Sequence, residues 1–185
     1  MTDTGVFAER AGIVILAAGK GTRMHRQIPK VLLRLLDEPM LRYVYAAARQ
    51  SCPDRVRVVI GHGATQVRAA FPELEDTFIL QEEQLGTGHA LMTAWPFVQA
   101  KGLEYVVVIN GDTPLITPVL LAAFMATAIR TEADLAFMSL RLEEPGAYGR
   151  VRRKKGKVTA IVEAKDYDAS EHGPDPGEVN AGIYC

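Results

Sequence analysis

GIVILAAGKGTRM, residues 12–24, contains the change of texture that decides the architecture: the apolar run Gly12 to Ala18 passes straight into two glycines flanking a lysine, with an arginine close behind. The run reads as a buried strand, because a strand covered on both faces is continuously apolar instead of alternating. Glycines at its carboxyl end, Gly19 and Gly21, let the backbone turn sharply and offer N–H groups to an anion, while Lys20 and Arg23 add full charge. That is a phosphate loop, at the edge where open α/β sheets bind ligands. Two better-known loops do not match it. GxGxxG fails because Met24 stands where the third glycine belongs and the second strand ends in Gly61-His62 without an acid, and GxxxxGK[ST] fails on spacing.

Outward from this loop, apolar runs alternate with helix-period segments, the pattern of βαβ units and a mostly parallel, Rossmann-like sheet flanked by helices. The fold class is α/β. Strands are expected at residues 12–18, 56–61, 77–81, 105–110 and 134–141, and helices at 39–50, around ATQVRAAF (64–71), at 86–95 and from after Thr117 to about Arg130. From about Glu143 the texture becomes a turn, a short strand, a charged tip and a longer strand, an antiparallel excursion near the C-terminus. DYDASEHGPDPGE (166–178) reads as a surface loop, rich in Asp, Gly and Pro. NAGIYC reads as a strand, so the 185 residues read as one domain, incomplete at its C-terminal side.

Composition removes several classes of function. With 48% hydrophobic residues the chain has material for a core without disulfides. A net charge of −1, from 21 basic and 22 acidic residues, supplies no global field for nucleic acid or an anionic membrane. RVRRKKGK (150–157) straddles a hairpin without interleaved aromatics and reads as a solvated tip. Cys52 and Cys185 form no CxxC pair, and His25, His62, His89 and His172 lack metal-ligand spacing. Cys185 has no partner base that would make it a nucleophile. The N-terminus is unlike a signal peptide and no apolar run is long enough to span a bilayer, so a cytoplasmic location is expected. A homo-oligomer is left open.

Further motifs lie at the expected ligand edge. Gln81 ends a strand, and its amide can donate and accept, as recognition of a pyrimidine edge requires. Gly86, Thr87 and Gly88 open a helix, where close backbone approach and the N-terminal dipole favour a nucleotide. Asp112 follows the strand YVVVIN directly, and an acid there is a natural hard-oxygen ligand for Mg²⁺. Each residue alone has a bland alternative: a solvated strand end for Gln81, a simple turn for Gly111-Asp112.

The ordered set is more specific. LAAGxGTRM followed by Pro29-Lys30 resembles the sugar-phosphate nucleotidyltransferases, and QEEQLGTGHA (81–90), NGDTPL (110–115), GAYGRV (146–151), IVEAKD (161–166) and EVNAGIY (178–184) resemble the N-terminal domain of the bifunctional N-acetylglucosamine-1-phosphate uridyltransferases in order and nearly in spacing. The resemblance implies Mg²⁺-dependent transfer of UMP from UTP to N-acetylglucosamine 1-phosphate, giving UDP-N-acetylglucosamine, a cell-envelope precursor, and pyrophosphate. It implies that Leu16, Ala17, Ala18, Gly19, Gly21 and Lys30 contact the nucleotide, with Arg23, Lys30 and Asp112 carrying the chemistry and Asp112 holding the metal. Gln81 would read uracil, Gly86 and Thr87 the nucleoside, and Asn110, Gly111 and Asp112 would line the strand end. Gly149, Glu163 and Asn180 match positions that contact the sugar phosphate and its N-acetyl group.

Asp37 departs from the family, standing where glycine is common, as do a few extra residues before EVNAGIY. Family members also continue well past this length, with a second metal ligand and then an acetyltransferase domain. Two other readings stay open: a nucleotide-sugar-binding module without turnover, and a nucleotidyltransferase using another nucleotide or sugar phosphate.

Overall fold

The opening apolar run forms strand β1 (Ala11–Ala17) in the computed structural model of the chain, which describes residues 10–19 and 28–185. Ile13, Val14 and Ile15 are wholly inaccessible, as continuous apolarity predicts for a strand covered on both faces. A hairpin of β2 (Arg34–Leu35) and β3 (Glu38–Pro39) leads into helix α1 (Met40–Ser51), which Pro39 precedes. Then come β4 (Val56–Ile60), α2 (Ala64–Ala70), β5 (Phe78–Leu80), α3 (Thr87–Ala100), β6 (Tyr105–Asn110) and α4 (Pro118–Arg130). These elements belong to a unit that reaches Asp134 and includes Cys185; Leu135–Tyr184 form a second unit.

In the first unit β1 pairs in parallel with β4 and with β6, and β4 with β5. The strand order is therefore β5-β4-β1-β6. The chain leaves β1 to one side and returns on the other, which makes the carboxyl end of β1 a topological switch point, the position where open α/β sheets open a crevice for ligands. Ala90 and Ala94 of α3 pack against Val14, Ala18 and Val59. Two alanines at the contact let the helix lie close to the sheet. Helix α3 runs five residues beyond the expected end at Trp95, through Pro96. The carbonyl deprived of a partner by that proline is on Met92, which is 72% exposed and open to water.

The second unit is antiparallel. β7 (Phe137–Arg141) and β8 (Arg150–Lys154) both pair with β10 (Glu178–Tyr184), and β8 pairs with β9 (Lys157–Val162). The turn between β8 and β9 is made by Lys155 and Gly156, both with positive φ, the twist that a two-residue hairpin needs. The basic run is thus the charged hairpin tip expected from its sequence.

The stretch 166–178, expected as loop, instead carries a one-turn helix, α5 (Ala169–His172). Asp168 caps it, accepting from the Ser170 N–H and hydroxyl, and Tyr167 stacks on His172. An Asp-rich segment reads equally well as turn or as cap, and here local hydrogen bonding chose the cap.

Candidate active site

Four loops of the first unit meet at the carboxyl ends of its strands, held by short backbone contacts. Leu16 accepts a hydrogen bond from the Gly111 N–H at 2.8 Å, and Ala18 accepts one from the His62 N–H at 3.2 Å. Two glycines permit this crowding. A Cβ on Gly61 would lie 2.9 Å from the Ala18 Cβ and 3.0 Å from the Gln81 carbonyl oxygen, and one on Gly111 would lie 3.0 Å from Val31 Cγ1 and 3.3 Å from the Ala17 Cβ. Ala17 and Ala18 are buried and Gly19 is exposed, so this strand end offers a ligand mainly backbone. Lys20, Gly21 and Arg23 lie outside the described residues.

Val31 is buried against Gly111, and Val31 is the second residue of the 3-10 turn Lys30–Leu32. Seating that turn delivers Lys30 to Asp112: Nζ is 2.5 Å from Oδ2, with side-chain exposures of 44% and 26%. Sequence reasoning named both residues for separate roles, and the fold makes them an ion pair. Asn110 ends β6, with its carbonyl accepting from the Thr113 hydroxyl at 2.7 Å.

Gln81 follows β5 and is 3% exposed. Its N–H donates to the Ile60 carbonyl at 2.7 Å, which fixes its backbone beside the end of β4. Its side-chain Nε2 is 2.8 Å from His89 Nδ1 and 3.5 Å from the Gly86 carbonyl oxygen. Gly86 has φ 105, a conformation that suits glycine, and it precedes α3, whose exposed first residue is Thr87. The first turn of α3 therefore adjoins Gln81, and a helix N-terminus is favourable to phosphate or other anionic groups. Sequence reasoning missed the bond between His89 and Gln81; the eight-residue separation has meaning only once the chain turns at Gly86.

The second unit brings Gly149, Glu163 and Asn180 into one neighbourhood. A Cβ on Gly149 would lie 3.7 Å from Glu163 Oε1, and the Gly149 carbonyl accepts from the Asn180 N–H at 2.8 Å. The Asn180 side chain donates to the Tyr184 hydroxyl and accepts from the Gly182 N–H at 3.0 Å, which shapes the irregularity in β10. Glu178, unremarked in the sequence, is a buried carboxylate. It takes two bonds of 2.8 Å from Arg153 and one of 2.7 Å from the Ser139 hydroxyl. The Arg153 guanidinium and then the Ser139 hydroxyl hold its carboxyl down at about 2. Burial pushes the Cys52 and Cys185 thiols up to about 11, which leaves neither poised as a nucleophile.

A parallel sheet thus carries an ion pair, a buried amide and a helix N-terminus at one edge, and the comparisons identify this frame as that of an α/β nucleotidyltransferase. Residues 13–164 match the MobA-like NTP transferase domain, and the chain belongs to that family. It is 56% identical over 174 residues to the bifunctional protein GlmU of Oleidesulfovibrio alaskensis, covering 94% of this chain and 38% of the relative. It is 55% identical over 179 residues to the GlmU of Nitratidesulfovibrio vulgaris strain Miyazaki F, covering 97% and 39%. The chain thus spans about two fifths of the length of these relatives. Among solved structures, a UDP-glucose pyrophosphorylase complexed with UDP-glucose superposes with a TM-score of 0.70 at 20% identity, over 94% of this chain and 74% of that one. HddC from Yersinia pseudotuberculosis, complexed with GMP-PN, gives 0.69 at 25% identity over 94% and 75%. No helix among the described residues is long and apolar enough to cross a membrane.

Proposed function

We propose that this chain transfers UMP from UTP to N-acetylglucosamine 1-phosphate, releasing pyrophosphate. The observation that carries the reading is the Lys30–Asp112 pair at the carboxyl edge of β1 and β6, where in-line phosphoryl transfer needs positioned charge and no protein nucleophile. The likeness to GlmU supports the choice of UTP and of this acceptor.

Chemistry at such a site is positioning plus charge stabilisation. Lys30 would stabilise charge on the α-phosphate oxygens, and Arg23 would hold the departing pyrophosphate. Gln81 and the backbone of Gly86 would take the base, with Thr87 beside the nucleoside. Asn110 and Gly111 line the strand end below the reacting groups. Gly149, Glu163 and Asn180 would receive the sugar phosphate, a carboxylate and an amide being suited to its hydroxyls and N-acetyl group.

A divalent metal fits what is present. Asp112 is half-buried and carboxylate is a hard donor, while no cluster of three His, Cys, Asp or Glu side chains that could hold a metal occurs among the described residues. Mg²⁺ is commonly held by one or two carboxylates plus substrate phosphates, so Asp112 would hold it with the substrates supplying further oxygens. Bound there, the ion would neutralise charge on the triphosphate.

Pyrophosphate release across the four NTPs and several sugar 1-phosphates, with Mg²⁺, tests the whole reading. The pair UTP and N-acetylglucosamine 1-phosphate should be turned over fastest. Binding without release for every pair would make the chain a nucleotide-sugar-binding module instead.

A further inference from the structure

The Gln81 side chain is an ambident group: its Oε1 accepts and its Nε2 donates, and which of them meets a ligand depends on what holds the other. Here Nε2 is held. His89 Nδ1 lies 2.8 Å away and the Gly86 carbonyl oxygen 3.5 Å away, and the latter already accepts from the Ala90 N–H at 3.1 Å. A carbonyl can only accept, so Nε2 is the atom that faces this side. His89 Nδ1 must accept as well, which requires its ring proton on Nε2.

Oε1 is then left over. It takes no hydrogen bond from the described residues, yet no buried side-chain polar atom among them lacks a partner. Oε1 is therefore the atom that this amide has left to meet a ligand, in a residue that is 3% exposed as a whole. The adjacent Gly86 N–H also donates to nothing described. An acceptor beside a donor complements the N3–H and O4 of uracil. Cytosine presents the opposite polarity at both positions, a bare N3 and an amino group.

We propose that His89 is a positioning residue for base selection: its Nδ1 acceptor pins the Gln81 amide with Nε2 inward, and so presents Oε1 to the base and favours uridine over cytidine nucleotides. The proposal rests on the reading that this edge takes a uridine nucleotide. Without His89, only the Gly86 carbonyl at the outer limit of hydrogen-bond distance would orient the amide. Rotation would then offer either base a partner.

Calorimetric titration of the whole chain with UTP and with CTP tests this on the unaltered protein, His89→Leu and His89→Asn. The unaltered protein should prefer UTP by about tenfold or more, the size expected when a mismatched base leaves a buried group unpaired. His89→Leu should bring the two affinities within about threefold of each other. His89→Asn, whose Oδ1 can stand where Nδ1 stood, should restore most of the preference. An unchanged ratio in His89→Leu, or an equal fall in both variants, overturns the role of His89. Equal affinities in the unaltered protein would instead overturn the uridine reading. A measurement without substitution or nucleotide closes the remaining gap, should the leucine variant not fold: ¹⁵N shifts of the His89 ring should show the proton on Nε2, and a proton on Nδ1 overturns the proposal.

Discussion

In the parallel unit, β1 buries Ile13, Val14 and Ile15 completely and α3 lies on Val14, Ala18 and Val59 through Ala90 and Ala94. In the antiparallel unit, the buried apolar side chains are Val151, Val179 and Ile183, and beside them sits a carboxylate, Glu178, held by Arg153 and Ser139. The first unit is held by close packing of apolar side chains, which is insensitive to pH. The second leans on a charge-assisted network, which is not. The difference follows from the sheets: a strand covered on both faces can be wholly apolar, while antiparallel hairpins leave one face to water and bury less. The candidate site residues divide the same way, with the Lys30–Asp112 pair on the closely packed unit and Gly149, Glu163 and Asn180 on the polar one.

The largest effect expected is on turnover. Lys30→Met should lower uridylyl transfer by roughly 10² to 10³, as loss of one charge-stabilising group does elsewhere. Its thermal midpoint should barely move, because the residue is exposed. An early-melting but fully active variant would show that the Lys30–Asp112 pair is a structural clasp. Next comes packing: Ala94→Leu should cost the parallel unit about 1 to 3 kcal/mol in denaturant unfolding, since a wholly buried alanine against Val14 and Val59 has no room to grow. A neutral outcome would mean that α3 is not closely seated.

Glu178→Gln sharpens the contrast from the other side, with an expected loss of about 1.5 kcal/mol at neutral pH from weakened charge-assisted bonds to Arg153. The pH dependence has a definite sign. The folded carboxyl sits at about 2, below an unfolded glutamate near about 4.3. Its contribution is therefore complete above about pH 4.3 and is lost as pH falls toward 2. Hydrogen exchange over 137–184 should thus separate the two proteins at pH 6 and converge near pH 2, while exchange in β1 stays alike throughout. A gap that persists in acid would rule out the ion pair as its source. The smallest effect should come from Leu36, 85% exposed with φ 54 in the turn between β2 and β3. Leu36→Asn should gain about 0.5 to 1 kcal/mol by suiting the left-handed conformation. No gain would mean that the turn relaxes freely without it.

Much of this molecule was legible before folding was considered. Continuous apolarity at Gly12 to Ala18, glycines at the strand's end and the alternation of strand and helix sufficed for an α/β sheet with a ligand edge. The ordered strings from LAAGKGTRM to EVNAGIY sufficed for the family, because local motifs survive in one dimension. Boundaries shifted by a residue or a few, and most at α3, which continues through Pro96 to Ala100 because Met92, whose carbonyl the proline leaves without its helical partner, is exposed. Asp168, read as loop, became a cap through bonds that an Asp can make in either setting.

Only tertiary structure could decide the pairings. Lys30 and Asp112 are 82 residues apart in the chain, and they meet because the missing side chain of Gly111 lets Val31 seat the turn that carries Lys30. Gln81 was recognisable as an amide at a strand end, but which of its two polar atoms faces a base depends on His89, which reaches it only when Gly86 turns the chain into α3. Glu178 carried no signal at all, since a glutamate's burial is set by an arginine on another strand. Periodicity and glycine placement act over a few residues and are written in order along the chain; hydrogen-bond polarity and charge pairing depend on distances that exist only after the chain has closed on itself.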